Sequence, residues 1–216
     1  MDEATILLTG FEPFGGEAVN PSAQVAQALH GRRIAGATVH ALELPCRFGD
    51  ALAALTAAIA ASRPQLVLAL GQAGGRCDFS IERVAINVDD ARIADNGGHQ
   101  PIDQAVVPAG PAAYFATLPI KAMVAALQAA GLPASVSQSA GTFVCNHVFY
   151  GLMHSLRQHP GVRGGFIHLP LLPEQATRQR GQPSLPLSTM VEGVAIALAA
   201  ALSHSVDLRR SGGAEA

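Results

Sequence analysis

The chain has 216 residues, 49% of them hydrophobic and 14% charged, with a formal net charge of −2 at pH 7. That length suits one generous domain with a sizeable core, and the balance excludes a disordered chain, which needs the opposite composition. Scattered basic residues exclude a nucleic-acid binder, and the longest uncharged apolar run, "VAIALAAAL" at 194–202, is less than half a membrane span.

The opening "MDEATILLTGF" carries acids where a secretory leader carries positive charge. Its "ATILLTG" reads as a first buried strand. "PSAQVAQALHG" follows as a helix, with Asn20 as its cap and Pro21 in its first turn. "GATVHALELP" is a second strand and "FGDALAALTAAIAASR" a second helix that stops before Pro64. "PQLVLALG" is nearly unbroken apolar sequence, as expected for a strand covered on both faces. "IERVAINVDDAR" alternates like another strand, and "IADNGGHQPID" is a turn-rich loop. The helix "LPIKAMVAALQAAG", the strand "ASVSQSAG" and a helix carrying Cys145 come next. "GGFIHLPLLP" is the last strand and "PLSTMVEGVAIALAAALSHS" the closing helix. Strands alternating with helices predict a three-layer α/β/α sandwich around a twisted, largely parallel sheet. It forms a single domain over residues 1–206, with a short loose tail at 207–216.

The three cysteines, Cys46, Cys77 and Cys145, form neither a disulfide framework nor a CxxC pair. Reduced thiols in the cytoplasm are expected. Cys145 has two readings. It is either a small core residue packed with Val148 and Phe149, or a nucleophile. With Thr142 as helix cap, Cys145 falls in the first turn, where free N–H groups and the helix dipole favour a thiolate. Thiolate and backbone donors together are the equipment of acyl transfer.

A nucleophile needs a base. His147, two positions along the same helix, points away from Cys145, and His154 lies too far along the axis. Without HExxH or CxxC spacing, no metal site is expected. His168 is the better base, late in the strand "GFIHLPLLP", where strand ends form a ligand crevice in open α/β sheets. Glu82 is the candidate orienting acid, in register with Val84, Ile86 and Val88, on a face where a carboxylate needs a partner. A satisfied core histidine and an exposed glutamate are the structural alternatives. "GQAGGR" lacks GxGxxG spacing and is not a dinucleotide loop.

Four stretches together resemble the pyroglutamyl peptidase I family of cysteine peptidases. "LLTGFEPFGGEAVNPS" is similar to the family's opening motif. "LALGQAGGRCDFSIERVAINVDDARIADNGGHQP" is similar to its glutamate region, "SAGTFVCNHVFYGLMH" to its cysteine signature and "GFIHLPLLPEQ" to its histidine segment. The resemblance implies removal of N-terminal pyroglutamate from peptides by a Glu82–Cys145–His168 triad through an acyl-enzyme, without a cofactor. It also implies an oxyanion role for Arg92 and a lactam slot of Phe11, Phe14, Ile93, Phe143 and Val144. Gln72 would supply backbone hydrogen bonds to the lactam, and Cys46 would stand near the pocket. A homo-oligomer, commonly a tetramer, is a further implication. Two rivals stay open: another cysteine amidase acting on small cyclic amides, and a lactam-binding module without catalysis.

Overall fold

Apolar runs long enough to be covered on both faces form the centre of the molecule. The computed structural model describes residues 4–213, so the opening acids Asp2 and Glu3 and the end of the tail lie outside the described residues. Strands β1 (Thr5–Phe11), β3 (Ala37–Leu44), β4 (Leu66–Gln72) and β9 (Arg163–Leu169) run parallel in the order β3-β1-β4-β9. Beyond β9 the direction reverses. β5 (Phe79–Glu82) pairs antiparallel with β9, and β8 (Ala134–Ser137) pairs parallel with β5 at the edge. At the other edge, the short β2 (Arg33–Ile34) runs antiparallel to β3.

Helices cover both faces. α1 (Pro21–Leu29), α3 (Ile120–Ala129) and α6 (Leu187–Ser203) lie over one core, built on Leu8, Leu68 and Ile167. α2 (Asp50–Ser62) and α4 (Val144–Leu156) lie over the other, built on Val67, Ala69 and Phe166. This is the expected three-layer α/β/α sandwich with a largely parallel sheet. Side chains alternate along a strand. With Phe79 and Ile81 in the first core, Ser80 and Glu82 therefore face the α2–α4 layer, as Phe166 and His168 do.

Four local expectations meet different outcomes. Asn20 caps α1 as read, its Oδ1 accepting from the backbone N–H of Ser22 at 3.0 Å. Thr142 does not cap α4. Its hydroxyl donates instead to the Asp90 carbonyl at 2.7 Å, and the cap position falls to Phe143, which has no side-chain acceptor. The single strand read through "IERVAINVDDAR" breaks at Arg83. The Arg83 N–H still bonds Ser137 of β8, but its carbonyl accepts from Ala116. The chain thus leaves the main sheet and continues as β6 (Val84–Ile86), paired with β7 (Ala113–Phe115) in a separate ribbon. Finally, β8 runs against β9, so Cys145 does not follow a strand end on the rim where β4 and β9 finish. Residues 138–143 carry the chain back instead, turning at Gly141 with a φ of +77° that favours glycine.

A four-residue helix, α5 (Pro173–Ala176), follows β9. Residues 207–213 lie against α3. The Asp207 carboxylate accepts from the backbone N–H groups of Lys121 and Ala122 in its first turn, and Arg83 donates to the Gly212 carbonyl.

Candidate active site

Reversal of the sheet at β5 puts a carboxylate beside an imidazole. Ser80 of β5 faces His168 of β9 in the antiparallel register, so Glu82 reaches His168 diagonally from two residues further on. His168 Nδ1 lies 2.7 Å from Glu82 Oε1, both side chains are buried, and His168 Nε2 makes no hydrogen bond among the described residues. Burial holds His168 below the ordinary imidazole value, partly opposed by the hydrogen bond and charge of Glu82. The neutral ring therefore donates Nδ1–H to Glu82 and leaves Nε2 as an acceptor, the tautomer a general base requires.

Cys145 occupies the second position of α4, and the helix lies across the sheet so that its sulfur sits over Gly71. A Cβ on Gly71 would stand 2.9 Å from Cys145 Sγ and 2.8 Å from the Phe166 ring. Gly71 is the register partner of His168 across β4 and β9, so the sulfur and the imidazole belong to neighbouring positions on one sheet face. The absence of a side chain at residue 71 is what admits the sulfur there. Burial raises the Cys145 thiol well above its ordinary value, with Cys46 and Glu82 adding to the effect and the Arg76 charge opposing it. The resting pair is thus a protonated thiol beside a neutral imidazole. No side chain caps α4, so its first-turn donors stay available to a developing negative charge.

Aromatic rings form a wall next to the sulfur. The Phe143 ring lies 5.9 Å from Phe14 and 5.4 Å from Phe48, each half-buried. Ile93 joins this wall at the Gly15 turn. Phe11 and Val144, both expected to line the slot, are buried, and Phe11 packs on Phe166. Gln72 stands at the end of β4, and its side-chain oxygen accepts from the buried Gln175 amide at 3.0 Å.

Asp95 and Asn96 tie together the three loops around this wall. The Asp95 carboxylate accepts from the backbone N–H groups of Phe48, Gly97 and His99 at 2.7–2.8 Å. Burial alone would raise this acid, but the three donors bring it below the ordinary carboxylate value. Asn96 ties the same loop to Pro13 and Glu12. Arg92, on this loop, is exposed and has no hydrogen-bond or ion-pair partner among the described residues. Cys46 is buried near Cys145, and its thiol is pushed up to about 12 by burial and by the charges of Glu12 and Asp95.

His147 forms a second histidine–carboxylate pair, with Nδ1 2.8 Å from Asp89 and Nε2 accepting from the Gly49 N–H. Both of its ring nitrogens are occupied, so it braces α4 rather than serving Cys145. His154 bonds the Tyr114 hydroxyl. Phe48 and Arg76 escaped the sequence reading. Arg76 donates through Nη1 to Glu82 Oε1 at 2.9 Å and through Nη2 to the Ser139 carbonyl at 3.0 Å. A signal for it existed: Glu82 needed a partner, alternation removed Arg83, and Arg76 is the next basic residue upstream.

This layered sheet, with a thiol, an imidazole and a carboxylate gathered on one face, belongs to an α/β enzyme of the peptidase class. Residues 4–204 match the family model described as pyroglutamyl peptidase. A pyrrolidone-carboxylate peptidase of Cupriavidus taiwanensis is 64% identical over 211 residues, covering 97% of this chain and 98% of the relative. The crystal structure of pyroglutamyl peptidase I from Bacillus amyloliquefaciens superposes with a TM-score of 0.94 at 46% identity, covering 97% of this chain and 100% of that one. Pyrrolidone carboxyl peptidase from Thermococcus litoralis gives 0.93 at 34% identity, covering 96% and 99%. The chain belongs to the pyroglutamyl peptidase family.

Proposed function

We propose that this protein hydrolyses the bond between an N-terminal pyroglutamyl (5-oxoprolyl) residue and the rest of a peptide, through an acyl-enzyme on Cys145. The observation that carries the reading is the placement of the Cys145 sulfur over Gly71, the register partner of a His168 oriented by buried Glu82. His168 Nε2 takes the thiol proton as Sγ attacks the carbonyl carbon. The C–N bond breaks as that proton passes to the departing amine. Water then gives its proton to Nε2 and its oxygen to the acyl carbon, releasing pyroglutamate and restoring the thiol. The open first turn of α4 receives the oxyanion, with Arg92 as a second donor by family resemblance.

The lactam is flat, uncharged and small, and it fits an aromatic wall of Phe14, Phe143 and Phe48 with Ile93 at its edge. Backbone groups at Gln72 serve the ring N–H and C=O. A prolyl group lacks the ring carbonyl and leaves such a partner unmet, a loss of about 1–3 kcal/mol. A free glutamyl group brings charge into the slot. Homologues named for this reaction and the four motifs support the same reading; a cytoplasmic homo-oligomer that needs no cofactor is proposed with it on family resemblance alone. Among the described residues no helix is long and apolar enough to cross a membrane.

The test is hydrolysis of a fluorogenic pyroglutamyl amide beside the prolyl and glutamyl amides, for wild type and Cys145→Ala. Turnover is expected for wild type on the pyroglutamyl substrate alone. Residual turnover by a folded Cys145→Ala protein would remove Cys145 from the mechanism. Equal rates on all three amides would remove the lactam specificity.

A further inference from the structure

We propose that Arg76 is a positioning residue of this active site, clamping Glu82 and the loop before the nucleophile in one two-armed contact. The inference rests on the triad reading above and extends it to a residue outside the triad.

The geometry is specific. His168 Nδ1 and Arg76 Nη1 both converge on Glu82 Oε1, at 2.7 and 2.9 Å, while Oε2 is buried without a hydrogen-bond partner. The Glu82 side chain is 0% exposed and that of Arg76 28%. Arg76 places a fixed positive charge against the buried Glu82 carboxylate and grips the same oxygen that orients the His168 ring. Its second arm ends on the Ser139 carbonyl, four residues before the Phe143 cap and next to a turn in which Ser139 Oγ accepts from the Gly141 N–H. One planar guanidinium therefore links β5 to the segment that delivers α4. A lysine ammonium, a single point charge, does not reproduce that fork.

The charged and titratable groups around the pair are few. His168 meets Glu82 from β5 and Arg76 from the segment after β4, and the Cys145 thiol of α4 lies over Gly71, the register partner of His168. Cys145 meets Cys46, Glu82 and Arg76. Asp78, beside Arg76 in sequence, is engaged by the Ser80 hydroxyl at 2.8 Å. Arg76 is thus the cation in this set. Its charge opposes protonation of His168 and favours ionisation of Cys145. Its removal moves both groups upward in pH, so the acid side of the activity profile shifts toward higher pH.

The experiment compares wild type, Arg76→Gln and Arg76→Lys. The first readout is kcat/KM against pH on the pyroglutamyl amide. The second is the pH dependence of Cys145 alkylation by iodoacetamide, read at the Cys145 peptide by mass spectrometry, which needs no substrate. For Arg76→Gln the acid limb and the onset of alkylation are both expected to rise by about one pH unit. Arg76→Lys is expected to keep both near their wild-type positions, while kcat falls roughly tenfold because the Ser139 arm is lost. Coincident profiles for wild type and a folded Arg76→Gln overturn the proposal. So does full kcat in Arg76→Lys, which also decides the matter should Arg76→Gln fail to fold. If wild type leaves the pyroglutamyl amide intact, the substrate reading fails, and the alkylation profiles alone still judge Arg76.

Discussion

Gly71 is the residue on which the proposed chemistry depends most closely without taking part in it. The Cys145 sulfur occupies the space a side chain at residue 71 would fill, with the Phe166 ring closing the other side. Gly71→Ala adds one methyl group where nothing soft yields, so either the sulfur or the ring must move. A shift of about an ångström at a nucleophile costs on the order of 100-fold in rate, while overpacking costs about 1–3 kcal/mol of stability. The expected outcome is a folded protein melting a few degrees lower, with kcat reduced by two orders of magnitude or more. Near wild-type kcat in Gly71→Ala would show that the sulfur works from elsewhere. Cys145, His168 and Glu82 stood out as candidates in the sequence because each is a reactive or charged type set in an apolar run. Gly71 did not, because the sequence "LALGQ" carries no trace of the helix lying over it.

At the scale of elements, the proposed substrate wall is three loops made into one piece by Asp95 and Asn96. The Asp95 carboxylate collects N–H groups from the 46–49 segment and from its own turn, and Asn96 beside it reaches Glu12 and Pro13. Hydrogen bonds to a charged acceptor contribute about 1.5–3 kcal/mol each, and none of the three survives in Asp95→Ala. KM for the pyroglutamyl amide is expected to rise tenfold or more in that variant, with a smaller change in kcat. A kcat loss at constant KM would place the loop's role in catalysis instead. The long helices and the buried parallel strands were legible from periodicity and caps, Asn20 above all. The break at Arg83 was not, because alternation continues through "IERVAINV" while the partner strand changes from β9 to β7. Likewise "GTFV" offers Thr142 as a cap by residue type, but the hydroxyl is taken by Asp90, a contact made 52 residues away in sequence.

For the whole molecule, the buried titratable groups confine stability to a window of pH. Burial holds His168 below its ordinary value, so in acid the unfolded chain binds a proton that the folded protein refuses. Stability is therefore lost as pH falls below about 6.5 toward the lowered value. Cys46 and Cys145 act at the other end. Both keep their protons above pH 9.0, the ordinary thiol value, where an unfolded chain releases them. Stability then falls as pH rises from about 9 toward 12, by up to about 1.4 kcal/mol per pH unit for each thiol. Denaturant melts across this range are expected to show a shallower alkaline decline in Cys46→Ala than in wild type. Equal slopes would mean that Cys46 ionises as readily folded as unfolded.

The three thiols also differ in how they face the solvent: Cys77 is exposed, Cys145 partly covered and Cys46 buried. A bulky thiol reagent therefore meets Cys77 first, on the segment between β4 and β5. The colour released in a thiol assay and the decay of activity then run on separate clocks. The first equivalent of label is spent on Cys77, and an inhibitor ranked by total labelling would be ranked on a thiol outside the proposed triad.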